Sequence, residues 1–172
     1  MEHSIAKLIR RAAETPSRWI IHGLWQEGGI ALVHSLEEEF KSTFAYQMAE
    51  AVAGAISFLR LWEVPQSRRI GIFETEMDDL EVGRRLGIMY PKDDWPEKLV
   101  LSDSELQKEF RRRTRFNEKM ECVDTWCRAQ QLELLAWDTV NSILASCANP
   151  NSEVPVSRFF DALAQLPLKG SL

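Results

Sequence analysis

Short apolar runs and stretches of helical spacing alternate along most of this chain. The segment "RWIIHGLWQEGGIALVHS" ends in Ile30 to Val33, a bounded apolar run of the kind that forms a strand buried on both faces, so a first strand is predicted there. Ile70 to Phe73, Leu99 to Leu101 and Leu132 to Asp138 repeat that pattern. Between the first two runs, Phe44, Ala45, Met48, Ala51 and Val52 fall at helical spacing and predict a helix over 41–53, stopped by Gly54. Asp78-Asp79 opens a second helix through Leu80, Val82 and Leu86, and "SDSELQKEFRRR" starts another behind a Ser or Asp cap. Further helices are predicted over 119–129 and 154–166, the last stopped by Pro167. Ser4 to Ala13 reads as a short amphipathic helix carrying Ile5, Leu8 and Ile9 on one face and closed by Thr15-Pro16. Taking residues 1–16 as an accessory helix leaves residues 17–172 as one domain. Strands that alternate with helices require crossover connections, so the fold class expected is α/β with a largely parallel sheet.

Composition agrees with one globular unit. At 172 residues, 45% hydrophobic and 27% charged, the chain can bury a real core and is short for two domains. Its net charge of -5 gives no global basic field to draw it to nucleic acid or a membrane. Cys122, Cys127 and Cys147 are an odd number with no secretory signal ahead of them, which leads us to expect reduced thiols and a cytoplasmic location. No apolar run approaches the roughly 20 residues of a membrane span.

Candidate chemistry gathers where the strands end. Lys41-Ser42 follows the first predicted strand, Glu76 the second, and Asp138 the fourth. Ligands of open α/β sheets bind outside the carboxyl ends of the strands, so Lys41, Ser42, Glu76 and Asp138 are expected to converge on one crevice. Those groups suit a nucleoside triphosphate. A lysine in the first turn of a helix offers charge to phosphates, a hydroxyl beside it can ligate Mg²⁺, and the helix amino terminus presents N–H groups to anions. Asp138 can hold the same Mg²⁺, and a glutamate nearby can orient an attacking water.

In order and spacing, "GGIALVHSLEEEFKSTFAYQMAEAVA", "RIGIFETEMDDLEVGRRL", "LELLAWDTVNSIL" and "RFFDALAQL" resemble the RecA-like P-loop ATPases, AAA family ATPases of the plasmid RepA-type and replicative hexameric helicase branch. The resemblance covers residues 17 to 172. It implies a RecA-like core and an ATP hydrolase that uses ATP and Mg²⁺. The parent assembly would be a homo-oligomer, hexamer-like, acting on DNA in replication, helicase or recombination work. By the same likeness the phosphate loop spans Ser35, Glu39, Phe40, Lys41, Ser42 and Thr43. Within it Lys41 is the phosphate lysine and Ser42 the Mg²⁺ hydroxyl, while Asp138 is the Walker B aspartate and Glu76 the catalytic glutamate.

The loop departs from G-x-x-x-x-G-K-[ST] at two glycines. Ser35 stands at the first and Phe40 at the second, with Leu36-Glu37-Glu38-Glu39 between them. Glycine serves there because the backbone must curl around phosphates at angles that a Cβ resists, and three carboxylates raise a negative field where a polyanion sits. The sequence therefore leads us to expect weakened nucleotide affinity or an altered loop, and the alternative function is a catalytically inactive RecA-like interaction or regulatory domain. The chain stops at "PLKGSL", where the family's sensor strand would begin, so the core is expected to be incomplete at its carboxyl end, as in the amino-terminal part of a longer member. Elsewhere, Arg111 to Arg115 read as a solvated helix face, His22 and His34 as structural, and the cysteines as inert thiols.

Overall fold

The structure, a computed structural model, describes residues 5–14, 18–33, 40–92, 94–139, 141–144 and 153–171. Helix α1 (Ile5–Glu14) is followed by an antiparallel hairpin, β1 (Trp19–Ile21) and β2 (Trp25–Gln26). The rest alternates: α2 (Lys41–Gly54), β3 (Ile70–Glu74), α3 (Asp79–Met89), β4 (Leu99–Leu101), α4 (Ser104–Arg112), α5 (Phe116–Ala129) and β5 (Leu134–Asp138). It closes with α6 (Asn141–Leu144), α7 (Glu153–Gln165) and β6 (Gly170–Ser171). The main sheet has four strands in the order β4-β3-β5-β6, all parallel. The expected α/β class is what the chain adopts.

Side-chain alternation along the strands builds two layers. Ile70 and Ile72 of β3, with Leu134 and Ala136 of β5, face a core formed by the hairpin, α2 and α3. Phe73, Leu135 and Trp137 face the opposite core, formed by α4, α5 and α7. Every residue of β3 and β5 is buried, as parallel strands covered on both faces must be. The second core is largely aromatic, with ring centroids of Phe73 and Phe110 5.0 Å apart and those of Trp137 and Phe159 5.4 Å apart. The chain steps from β3 to β4 through α3 on one face, then back across β3 to β5 through α4 and α5 on the other. Reversing both the direction and the face keeps the two crossovers the same hand.

Helix boundaries follow local chemistry. The Asp78 carboxylate accepts from the Glu81 amide at 2.8 Å, and Asp103 accepts from Leu106 at 2.8 Å, so both helices start where their side-chain caps place them. Helix α5 starts at Phe116, earlier than the position 119 expected, because Phe116 is itself part of the buried face.

One expectation needs correcting. Ile30 to Val33 is not a strand: Ile30 makes an isolated parallel bridge to Ser171, and residues 31–33 are irregular. Apolar character gave that segment burial propensity, and among the described residues it meets the sheet only where Ile30 bridges Ser171. The last strand, β6, pairs Gly170 with Leu134 and Ser171 with Leu135, between β5 and Ile30, at the point where the sequence reading placed the start of a further strand.

At the amino edge Arg68, 2% exposed, is ion-paired to Glu27 beside the hairpin and to Glu133 ahead of β5, and Lys169 ahead of β6 also reaches Glu133. Gly71 sits mid-strand where a Cβ would lie 2.3 Å from Leu132 Cδ1 and 2.7 Å from Trp126 Cη2. Gly71→Ala is accordingly expected to lower unfolding stability by about 1–3 kcal/mol through overpacking. Urea unfolding reads this directly, and a midpoint equal to wild type would show that α5 gives way freely.

Candidate functional site

The carboxyl edge of the sheet holds two carboxylates side by side, because Glu74 and Asp138 end β3 and β5 in the same register. Both are buried, at 1% and 6% exposure. The chain beyond them is laced together by threonines. The Thr75 amide and hydroxyl both donate to the Asp138 carbonyl at 2.8 Å, and the Thr139 amide donates to Thr75 Oγ1 at 3.0 Å. The peptide bond between Asp138 and Thr139 is cis.

Helix α2 brings its first turn to this edge. The Ser42 hydroxyl and the Lys41 ammonium are both near enough to the Asp138 carboxylate to favour its charged form. Phe40 precedes the helix with φ of 44° and ψ of 18°, the left-handed conformation that glycine adopts at no steric cost, and its ring is 82% exposed. The position where the motif takes its second glycine thus keeps the glycine backbone while carrying a phenylalanine. That conformation costs a side-chain residue on the order of 1 kcal/mol. No side chain caps the helix at Phe40. Thr43, in the same turn, is half-buried. Ser35 and Glu39, together with His34, Glu37, Glu38 and Cys147, lie outside the described residues.

Glu76 lies beyond the strand, on an exposed turn, where its Oε1 accepts from Thr139 Oγ1 at 2.7 Å. Its charge is felt at Asp138. The structure therefore brings Ser42, Lys41, Glu76 and Asp138 to one edge, with Phe40 at its rim. Glu74 is the residue to which the sequence reading gave no role, although "IGIFE" and "LLAWD" carry the same signal, an apolar strand ending in a carboxylate. Its Oε1 accepts from the amides of Glu76 and Met77 at 2.8 and 3.1 Å, and its Oε2 accepts from the Tyr46 hydroxyl at 3.3 Å. Arg111 is exposed, as expected of it, and its guanidinium also donates to the Thr75 carbonyl at 3.1 Å. His22 stacks edge-on against Trp19, and Cys122 and Cys127 are buried free thiols, in keeping with structural readings.

Burial raises both carboxyls. Asp138 is pushed up first by burial and further by Glu76, against the Ser42 hydroxyl and the charges of Arg85 and Lys41. Glu74 is pushed up by burial and by Asp138, against the amides of Met77 and Glu76 and the Tyr46 hydroxyl. One oxygen, Asp138 Oδ2, is buried with no hydrogen-bond partner. An orphaned carboxylate oxygen beside a hydroxyl suits a divalent cation, so Ser42 and Asp138 fit the Mg²⁺ pair of a nucleotide site. Among the described residues no group of three or more His, Cys, Asp or Glu could hold a metal ion. A cation here would take much of its shell from a ligand and water, as Mg²⁺ does beside phosphates.

A family profile described as "AAA domain" matches residues 5–169. Among solved structures, a KaiC-like protein from the hyperthermophilic archaeon Pyrococcus horikoshii OT3 superposes with a TM-score of 0.61 at 15% identity, covering 91% of this chain and 70% of that one. No curated protein matches the sequence. No helix among the described residues is long and apolar enough to cross a membrane.

The raised carboxyls give a pH signature. An acid whose folded value lies above its unfolded one holds its proton longer in the folded state, so its contribution to stability falls as pH rises from about 4 through the raised value. Asp138→Asn removes one such group. Without divalent cation its melting temperature is expected to exceed that of wild type by about 2–4 °C at pH 7.5, with the gap closing toward pH 4. Melts at both pH values measure it; a gap of the same size at each would mean that the effect is not electrostatic.

Proposed function

The chain belongs to the AAA domain family, and from that membership and the geometry of the carboxyl edge we propose that it is a RecA-like module that binds Mg²⁺-ATP. The observation that carries this reading is Asp138 Oδ2, a buried carboxylate oxygen without a hydrogen-bond partner, at the edge where Ser42 and Lys41 open α2. Lys41 supplies positive charge to the β- and γ-phosphates, and the uncapped first turn of α2 supplies N–H groups to the same anion. Ser42 and Asp138 hold the cation, which neutralises phosphate charge when bound. Glu76, on the exposed turn next to Asp138, is the group placed to orient a water and take its proton. Thr43 adds a second hydroxyl at the helix start.

The finer assignment, a module of a DNA replication, helicase or recombination assembly that works as a homo-oligomer, comes from the likeness to the RepA-type and replicative helicase branch. Hydrolysis in such assemblies draws on a neighbouring subunit's arginine, so binding and turnover are expected to separate in the isolated chain. Phe40 supports a second reading, a catalytically inactive interaction or regulatory domain. Its exposed ring occupies the left-handed position at the mouth of the site, where bulk opposes close approach of phosphates.

Titration with a fluorescent ATP analogue and Mg²⁺ decides between them. Wild type is expected to bind weakly, and Lys41→Ala to weaken binding at least tenfold. A chain with glycine at positions 35, 38 and 40 is expected to bind at least tenfold tighter, with little turnover, because its loop amides can turn inward and one negative charge is gone. If the glycine-restored chain binds no better than wild type, the loop is not a phosphate cradle and the interaction domain is the better account.

A further inference from the structure

Glu74 is a carboxylate with two occupied sides. One oxygen faces α2, where the Tyr46 hydroxyl donates to it at 3.3 Å; the other faces the turn after β3, where the amides of Glu76 and Met77 donate to it at 2.8 and 3.1 Å. Its own backbone is fixed to β4, since its amide donates to Ser102 Oγ at 3.0 Å. Tyr46 and Glu74 are 2% and 1% exposed, so water does not stand in for either partner. Tyr46 lies five positions along α2 from Lys41, about 7.5 Å of helix rise, within the same rigid element.

We propose that Tyr46 and Glu74 form a positioning pair that ties the helix carrying Lys41 and Ser42 to the turn carrying Glu76, so that occupation of the first is transmitted to the second. The proposal rests on the nucleotide reading above and deepens it. A phenol is required at position 46: phenylalanine fills the same space but leaves Glu74 Oε2 without a donor. The turn is also held from the α4 and β5 side, by Thr75 on the Asp138 carbonyl, the Thr139 amide on Thr75, Arg111 on the Thr75 carbonyl and Thr139 on the Glu76 carboxylate. Tyr46–Glu74 is the side-chain hydrogen bond that runs from α2 to the carboxylate holding the amides of Glu76 and Met77, a direct route for a displacement of α2 to reach them. Tyr46 touches no reacting atom, and its effect is on geometry alone.

NMR-detected amide exchange on wild type, Tyr46→Phe and Glu74→Gln, with and without Mg²⁺-ATP, tests the pair. Without nucleotide, Tyr46→Phe is expected to speed exchange at Glu76 and Met77 at least fivefold, while amides of β5, which report global opening, stay within twofold. With saturating Mg²⁺-ATP, wild type is expected to change protection at those two amides at least fivefold. Tyr46→Phe should bind within threefold of wild type yet lose that response, a split that a merely structural tyrosine would not produce. Glu74→Gln, which keeps an oxygen for the turn and removes the charge, is expected to lose it as well. An undiminished nucleotide response in either variant overturns the proposal. Should wild type take up no Mg²⁺-ATP, the functional reading fails separately and the nucleotide-free comparison decides the tie: faster exchange supports it, and unchanged exchange overturns it.

Discussion

The parallel pairing of β3 with β5, Ile70 against Leu134 through Glu74 against Asp138, is the contact on which the rest of this molecule depends. All ten residues are buried, five on each strand, so the register cannot slip without sending core residues to the wrong layer. Fixing that register fixes both ends at once. At one end it sets two carboxylates next to each other under apolar cover; at the other it sets Arg68 and Glu133 within reach. Neither arrangement is favourable alone, since buried charge is costly without partners. The packing of Phe73, Trp137, Ile72 and Ala136 between two helical layers is what makes them tolerable.

That balance explains which parts of the structure could be read from the sequence. The strands 70–73, 99–101 and 132–138 and the helices following them were legible because burial on both faces writes itself as an uninterrupted apolar run. Caps such as Asp78 and Asp103 wrote the helix starts equally plainly. Ile30 to Val33 looked the same yet meets the sheet among the described residues only by the bridge from Ile30 to Ser171, because ladder formation depends on a neighbour far along the chain that a local apolar run does not report. The hairpin at Trp19–Gln26 was too short for any period to register. In the site, Lys41, Ser42 and Asp138 carried a recognisable motif order, whereas Tyr46 reads as one more apolar face position until its hydroxyl is seen on Glu74.

Phe40 shows how backbone and side chain can part company. The local path of the chain is the one a glycine would take, and α2 starts immediately after it with Ser42 already against Asp138. What the phenylalanine alters is the space in front of that turn. Backbone and side chain are separable here: the helix start keeps the path a glycine would take while an exposed ring stands before it.

Arg68 has a bearing on how the chain folds. Its two carboxylate partners come from the hairpin side and from the start of β5, and Lys169 joins through Glu133 from the start of β6, so segments spread across most of the chain converge on one guanidinium. An intermediate that had docked β3 against only some of those segments would bury the cation without its counter-charges, a defect worth about 3–5 kcal/mol. Partly assembled sheets and swapped strand orders are therefore disfavoured against both the open chain and the finished one. The arginine makes the assembly of the sheet cooperative.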